Sequence, residues 1–179
     1  MRKGSFGFTL IELLIVIALL GALAIGLLAA LDPFEQLKKG TDTGTRNTMN
    51  EFHGATIRFY AIKNHMPWVD DSLAVIDNQE PAGSPTNDQL SDYPNTIAAI
   101  TQTGELKAEF AELAGGQMDN IILTGTNDPP VLYVCFKPTA KSFMADPNTK
   151  YGPDGTTPYS PAGGLCPNGV AGQCYYCVK

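Results

Sequence analysis

The chain has 179 residues and a mass of 19.1 kDa, with 44% hydrophobic and 17% charged residues, which suits one packed domain and excludes a disordered or collagen-like chain. Twelve Lys and Arg against eighteen Asp and Glu leave a formal charge of −6. The basic residues form no run, so nucleic acid is not an obvious partner.

The first element dominates. Phe8 to Leu31 is 24 residues long and carries one charge, Glu12. As a helix it spans about 36 Å, enough to cross a hydrocarbon core of about 30 Å. A secretory signal is the rival reading, but its apolar stretch is usually about 7 to 15 residues and holds no acid. Arg2 and Lys3 precede the span and no basic residue follows until Lys38, which predicts a cytoplasmic start and an external remainder.

A carboxylate at the centre of a membrane helix costs roughly 2.5 to 3.5 kcal/mol. Glu12 therefore either snorkels or is protonated near the headgroups, or it meets a cationic partner. Ala18, Ala22, Gly26 and Ala30 recur every four residues, a small-residue stripe that permits close helix approach, although Ala and Gly are common in membrane helices generally. Gly21 and Gly26 lower helix propensity by about 1 kcal/mol each. With Pro33 they mark a segment able to stretch or kink.

From Phe34 the pattern turns amphipathic. Phe52, Ala55, Phe59, Ile62 and Met66 fall at spacings of three and four, one face of a helix ending near Asn64. Gln36 to Arg46 is polar, contains Gly40 and Gly44, and offers little to bury, so fraying or interruption is expected there. Trp68 to Pro94 reads as a surface excursion rich in turn formers. Two short helices follow, Thr96 to Thr103 and Glu105 to Ala114, with Gly104 as a break and Gly115-Gly116 as a stop. Strands are expected at Asn120 to Thr124, Val131 to Lys137 and Gln173 to Val178. The fold class is α+β: a long amino-terminal helix with a small antiparallel sheet packed on its amphipathic half.

Four cysteines lie late, at 135, 166, 174 and 177. An even count outside the membrane predicts two disulfides in one of three pairings. Cys174 and Cys177, three apart on a strand, point to opposite faces, which favours Cys166 with Cys174 and Cys135 with Cys177. A zinc site is the main competitor, but a zinc ribbon usually has two CxxC pairs and this chain has one. A thioredoxin-type CxxC belongs at a helix start, not at the end of a Gly-rich loop. His53 and His65 have no partnering motif and read as surface or interface residues. Without a phosphate loop, GxSxG elbow or HExxH, an enzyme is not expected.

Gly7-Phe8-Thr9-Leu10-Ile11-Glu12-Leu13, after a short basic leader, resembles the processing motif of type IV prepilins and related pseudopilins. The resemblance covers about thirty residues. It implies a leader (1–7) removed by a prepilin peptidase between Gly7 and Phe8, with methylation of the new Phe8 amine. It further implies a transmembrane and polymerisation helix (8–33), an amphipathic half-helix (34–66) and a globular head (67–179), together the ladle shape of pilins. Tyr60 and the Met66-Pro67 end resemble the helix exit of that family. The mature chain would have 172 residues and a formal charge of −8.

The same resemblance implies that Glu12 of one subunit meets the Phe8 amine of a neighbour. Ala18, Ala22, Gly26 and Ala30 would join it as the assembly face of a helical homo-oligomer. The implied partners are the peptidase, the cytoplasmic membrane before assembly and the pilus assembly machinery; the implied destination is an extracellular filament. Major pseudopilins often hold calcium, and Asp146, Asn148 and Asp154 share a loop. That loop has Lys150 where an oxygen ligand is needed and lacks a closing Glu, so no metal or other cofactor is expected. A pseudopilin of a secretion or DNA-uptake apparatus and an unprocessed membrane-anchored binding domain are the alternatives. Loops Asp70 to Asp92 and Ala140 to Gly164 are the expected seats of head specificity.

Overall fold

The structure, a computed structural model, describes residues 7–30, 32–157, 159, 166 and 173–179. The chain divides into two compact units, one up to Leu37 and one from Lys38 to Lys179. The fold class is α+β.

The first unit holds α1 (Leu10–Ala30) and the first residues of α2 (Pro33–Lys63). From Leu10 to Leu28 none of α1 is buried by its own chain. α2 opens on Asp32-Pro33. The Asp32 carboxylate accepts from the Glu35 amide at 3.2 Å and the Asp32 carbonyl from the Gln36 amide at 3.3 Å. Pro33 occupies the first helical position, where its missing N–H costs nothing; it starts a helix here.

In the second unit α2 runs without a break through Gly40 and Gly44 to Lys63. The fraying expected at Gln36 to Arg46 does not occur, because this stretch does have something to bury. Asp42 and Thr45 are 2% and 3% exposed. The Asp42 carboxylate accepts from the Thr139 amide at 2.9 Å, the Thr139 hydroxyl at 2.9 Å and the Ala140 amide at 2.7 Å. At Gly44 an added Cβ would sit 3.2 Å from the Gln117 side chain, whose oxygen accepts from Thr48 at 2.7 Å. The glycine admits a packing partner.

The buried face of α2 is Met49, Phe52, Ala55, Thr56 and Phe59. Ile62, expected on it, is 59% exposed. At 3.6 residues per turn it is rotated about 80° from Phe52, on the side away from Thr56 and Met49. Asn64 ends the helix with φ 59°, its amide donating to the Tyr60 carbonyl at 2.8 Å, the left-handed cap that asparagine tolerates.

Three antiparallel strands, β1 (Ile121–Thr126), β2 (Val131–Phe136) and β3 (Tyr176–Val178), lie in that order. Their register places Ile121 opposite Phe136 and Cys135 opposite Cys177. Ile121, Leu123, Val134 and Phe136 share one core cluster with the buried face of α2.

The segment from Trp68 to Pro94 is a surface excursion only in part: residues 70–80 are exposed or half-exposed, and its two ends are built into the fold. Trp68, Val69, Asp88, Leu90 and Tyr93 are all buried. Ala82 and Gln89 bridge to Thr124 and Ile122, and the amides of Gly83 and Gly125 donate to the carbonyls of Leu123 and Pro81, both at 2.9 Å. The segment covers the outer edge of β1, which would otherwise present unpaired backbone groups. Gly83 has φ 81°, and a Cβ there would collide with Thr124, so only glycine fits. Buried Asp88 accepts from Tyr93 Oη at 2.5 Å, Gln79 Nε2 at 2.7 Å and the Ser84 amide at 2.7 Å. Burial first, and then this carboxylate, push the Tyr93 phenol upward.

α3 (Pro94–Gln102) starts under Asp77, whose carboxylate accepts from the Asn95 and Thr96 amides at 3.0 and 2.9 Å. The second expected helix is shorter than its pattern: α4 covers only Phe110–Ala114, followed by a 3₁₀ turn at Gly115–Asn120. Glu105 to Glu109 stay out of it, with Arg58 donating to the Glu105 carboxylate at 2.6 Å and carbonyl at 2.9 Å. α5 (Lys141–Met144) begins beside the Asp42 contact.

Candidate functional site

The motif residues sit where the chain enters α1. Gly7, Phe8 and Thr9 are not helical, and Leu10 is the first helical residue. Thr9 and Glu12 form a reciprocal cap. The Thr9 amide and hydroxyl donate to Glu12 Oε2 at 2.8 and 2.7 Å, and the Glu12 amide donates to Thr9 Oγ1 at 3.3 Å. This is the Thr-x-x-Glu box that satisfies otherwise orphaned donors at a helix start. The pattern is visible in the sequence, and reading Glu12 only as a charge in need of a cation overlooks it. Both bonds from Thr9 fall on Oε2, so Oε1 keeps its acceptor capacity.

The cap fixes the helix boundary two residues after the Gly7–Phe8 bond and leaves that bond in non-helical, exposed chain. Phe8 is 79% exposed. A Cβ added at Gly7 would meet nothing within 4 Å, and the same holds at Gly21 and Gly26. Among the described residues nothing requires glycine at these positions. Each of the two helical glycines costs about 1 kcal/mol of propensity relative to alanine. Ala18, Ala22 and Gly26 are exposed on α1, and Ala30 is its last residue.

The other candidate residues belong to the second unit and do not join this site. Cys135 is bonded to Cys177 across β2 and β3, with Cα atoms 4.1 Å apart, and Cys166 to Cys174 across eight residues. Asp146 accepts from the Asn148 amide at 2.8 Å, and Asp154 from the Thr156 hydroxyl at 2.8 Å, so each carboxylate serves its own turn. Among the described residues no group of three or more His, Cys, Asp or Glu is placed to hold a metal ion. Part of the Ala140 to Gly164 loop, namely residues 158 and 160–164, lies outside the described residues.

His65 is not a surface residue. It is 7% exposed, with Nδ1 2.9 Å from the Met66 carbonyl, Nε2 3.1 Å from Asp71 Oδ1, and its ring edge-on to Phe59. The His65 contact first, then Lys63, hold the Asp71 carboxyl below the usual range. His53 is half-buried on α2, and burial lowers its pKa.

Residues 2–28 match the model of the prokaryotic N-terminal methylation motif. No curated protein and no solved structure matches the chain. The chain thus carries the prepilin-type motif of type IV pilins and pseudopilins, and its motif and apolar helix fit a membrane-anchored precursor. That motif supports a protein of the pilin or pseudopilin class, whose members are structural subunits rather than enzymes.

Proposed function

We propose that the protein is the pilin subunit of a type IV pilus. It is inserted with Arg2 and Lys3 on the cytoplasmic side, cut between Gly7 and Phe8, methylated on the new amine, and assembled through α1 into an extracellular filament. The observation that carries this is a coincidence in place: the methylation motif at residues 2–28 overlies an apolar helix that buries none of residues 10–28 in its own chain. So large an exposed apolar surface needs an outside partner. Lipid supplies it for the precursor, and neighbouring α1 helices would supply it in a filament.

Glu12 serves twice in this account. Within the chain it closes the cap on α1, which keeps the scissile bond in non-helical, exposed backbone. Between chains its carboxylate receives the Phe8 ammonium of a neighbour, which offsets the cost of moving either charge into apolar surroundings. Gly7 serves the peptidase, since the fold gives it no other reason to be glycine. Ala18, Ala22 and Gly26 leave room for close helix approach, with Ala30 extending the same spacing.

The disulfides and the size of the head favour a pilin over a pseudopilin. The test is to shear cells expressing the wild type and Gly7→Val. Wild-type protein is expected in the sheared filament fraction, and the variant wholly in the membrane with its leader. Gly7→Val in filaments would refute the reading. Wild-type protein that is processed but never found outside the cell would move it to a pseudopilin.

A further inference from the structure

The second unit carries a projecting apolar turn and an apolar groove of matching character, on different parts of its surface. The turn lies between the bridged residues Val69 and Val75. The Asp70 carboxylate accepts from the Ser72 amide at 2.8 Å, the Ser72 hydroxyl at 2.6 Å and the Ala74 amide at 3.0 Å. The Leu73 amide donates to the Asp70 carbonyl at 2.9 Å. Leu73 sits at the tip with φ 62°, a backbone region where Gly or Asn is the usual occupant. A branched side chain is held there by a well-bonded turn and is 60% exposed, beside Val75 at 41%. The fold accepts strain to display a leucine.

The groove runs between α2 and the start of β2, with a volume of about 430 Å³. Its walls include His53, Ile57, Tyr60, Val131 and Tyr133, and Lys179 stands at its rim. The Lys179 ammonium lies 5.9 Å from the Tyr133 ring and 5.2 Å from the Tyr151 ring. Ile57 is 46% exposed. Charge distinguishes the two surfaces. Residues 67–130, which include the turn, carry eleven Asp and Glu and one Lys, whereas residues 131–179 carry four Lys and two Asp. Asp70 and Asp71 stand in the apolar turn, with Lys63 3.6 Å from Asp71, whereas Lys179 lines the apolar groove.

We infer that the groove receives the Leu73 turn of a second copy of this chain, with Leu73 and Val75 entering between α2 and β2 and Asp70 approaching Lys179. Because knob and groove are different surfaces, the contact is head-to-tail, and with a rotation between copies that does not close into a ring it propagates along a filament. This rests on the filament reading and adds a head contact to the one made by α1.

Two experiments on the full chain in cells test it. Leu73→Gly suits the left-handed backbone and removes the knob without loosening the turn. It is expected to be processed normally and to unfold at or above the wild-type temperature. Its yield of sheared filaments should fall at least about tenfold, the factor that goes with losing the burial of one leucine side chain. A photo-crosslinking amino acid at position 57 is expected to capture residues 69–76 of another copy. Normal filament yield from Leu73→Gly, or a crosslink from position 57 that maps elsewhere, overturns the inference while leaving the pilin reading intact. A wild-type chain that keeps Met1 and forms no filament overturns both.

Discussion

Asp42→Ala is expected to weaken the head even though the residue lies in a stretch of α2 that is polar in sequence. The substitution strips the acceptor from the Thr139 amide and hydroxyl and from the Ala140 amide. Thr139 is exposed and regains water, but Ala140 is 0% exposed, so its N–H stays unpaired. A buried unsatisfied donor costs about 1 to 3 kcal/mol, and a hydrogen bond to a charged group contributes about 1.5 to 3. A loss of about 3 kcal/mol follows, or about 6 to 12 °C in Tm for a domain of this size. Asp42→Asn keeps one acceptor and should lose about half as much. Thermal unfolding of the detergent-solubilised chain by circular dichroism measures this, and amide exchange should quicken first at Ala140 to Ala145. An Asp42→Ala protein melting within about 2 °C of the wild type would show that the latch contributes little.

Glu12→Gln separates the two uses of that side chain, since glutamine can still close the cap but carries no charge. Processing and helix content should be retained while filaments are lost; normal filaments would leave only the cap as its role. Removing Cys135–Cys177, which spans 42 residues, should cost about 4 kcal/mol, against about 2.5 for the eight-residue Cys166–Cys174 loop. Equal melting temperatures for the paired serine variants would contradict that order. Asp70 is held below its ordinary 3.8 by the Ser72 hydroxyl first and then the Ala74 and Ser72 amides. A depressed carboxyl stabilises the turn above the unfolded value and stops doing so as pH falls through its lower folded value. Exchange of the Ser72 and Ala74 amides should therefore quicken only below about pH 4; quickening already at pH 6 would point to another group.

Where a single local signal decided the outcome, the sequence was enough. The apolar run of α1, the β-branched strands of the hairpin and the helical period around Phe52 each carry their own periodicity, and the structure places α1, β1, β2 and α2 there. Contacts distant in the chain were not legible. Gln36 to Arg46 reads as a polar, frayed segment because the partners of Asp42 are almost one hundred residues away. Trp68 to Pro94 reads as a surface loop because turn residues outnumber apolar ones, yet it bridges the β1 edge through Ala82 and Gln89 and buries Trp68, Val69, Leu90 and Tyr93. His65 reads as a surface or interface residue because its contacts with Phe59 and Asp71 leave no trace in spacing. In the motif itself Gly7, Phe8 and Glu12 stand out by type and position. Thr9 stands out by neither, although the Thr-x-x-Glu spacing announces its cap.

Processing between Gly7 and Phe8 is the central claim, and intact-mass with amino-terminal analysis of protein sheared from cells, with and without reductant, tests it most directly. The expected result is a chain that begins at methylated Phe8 and gains four hydrogens on reduction of its two disulfides. A full-length chain still beginning at Met1 and retained in the membrane would contradict it and leave an anchored domain that does not polymerise.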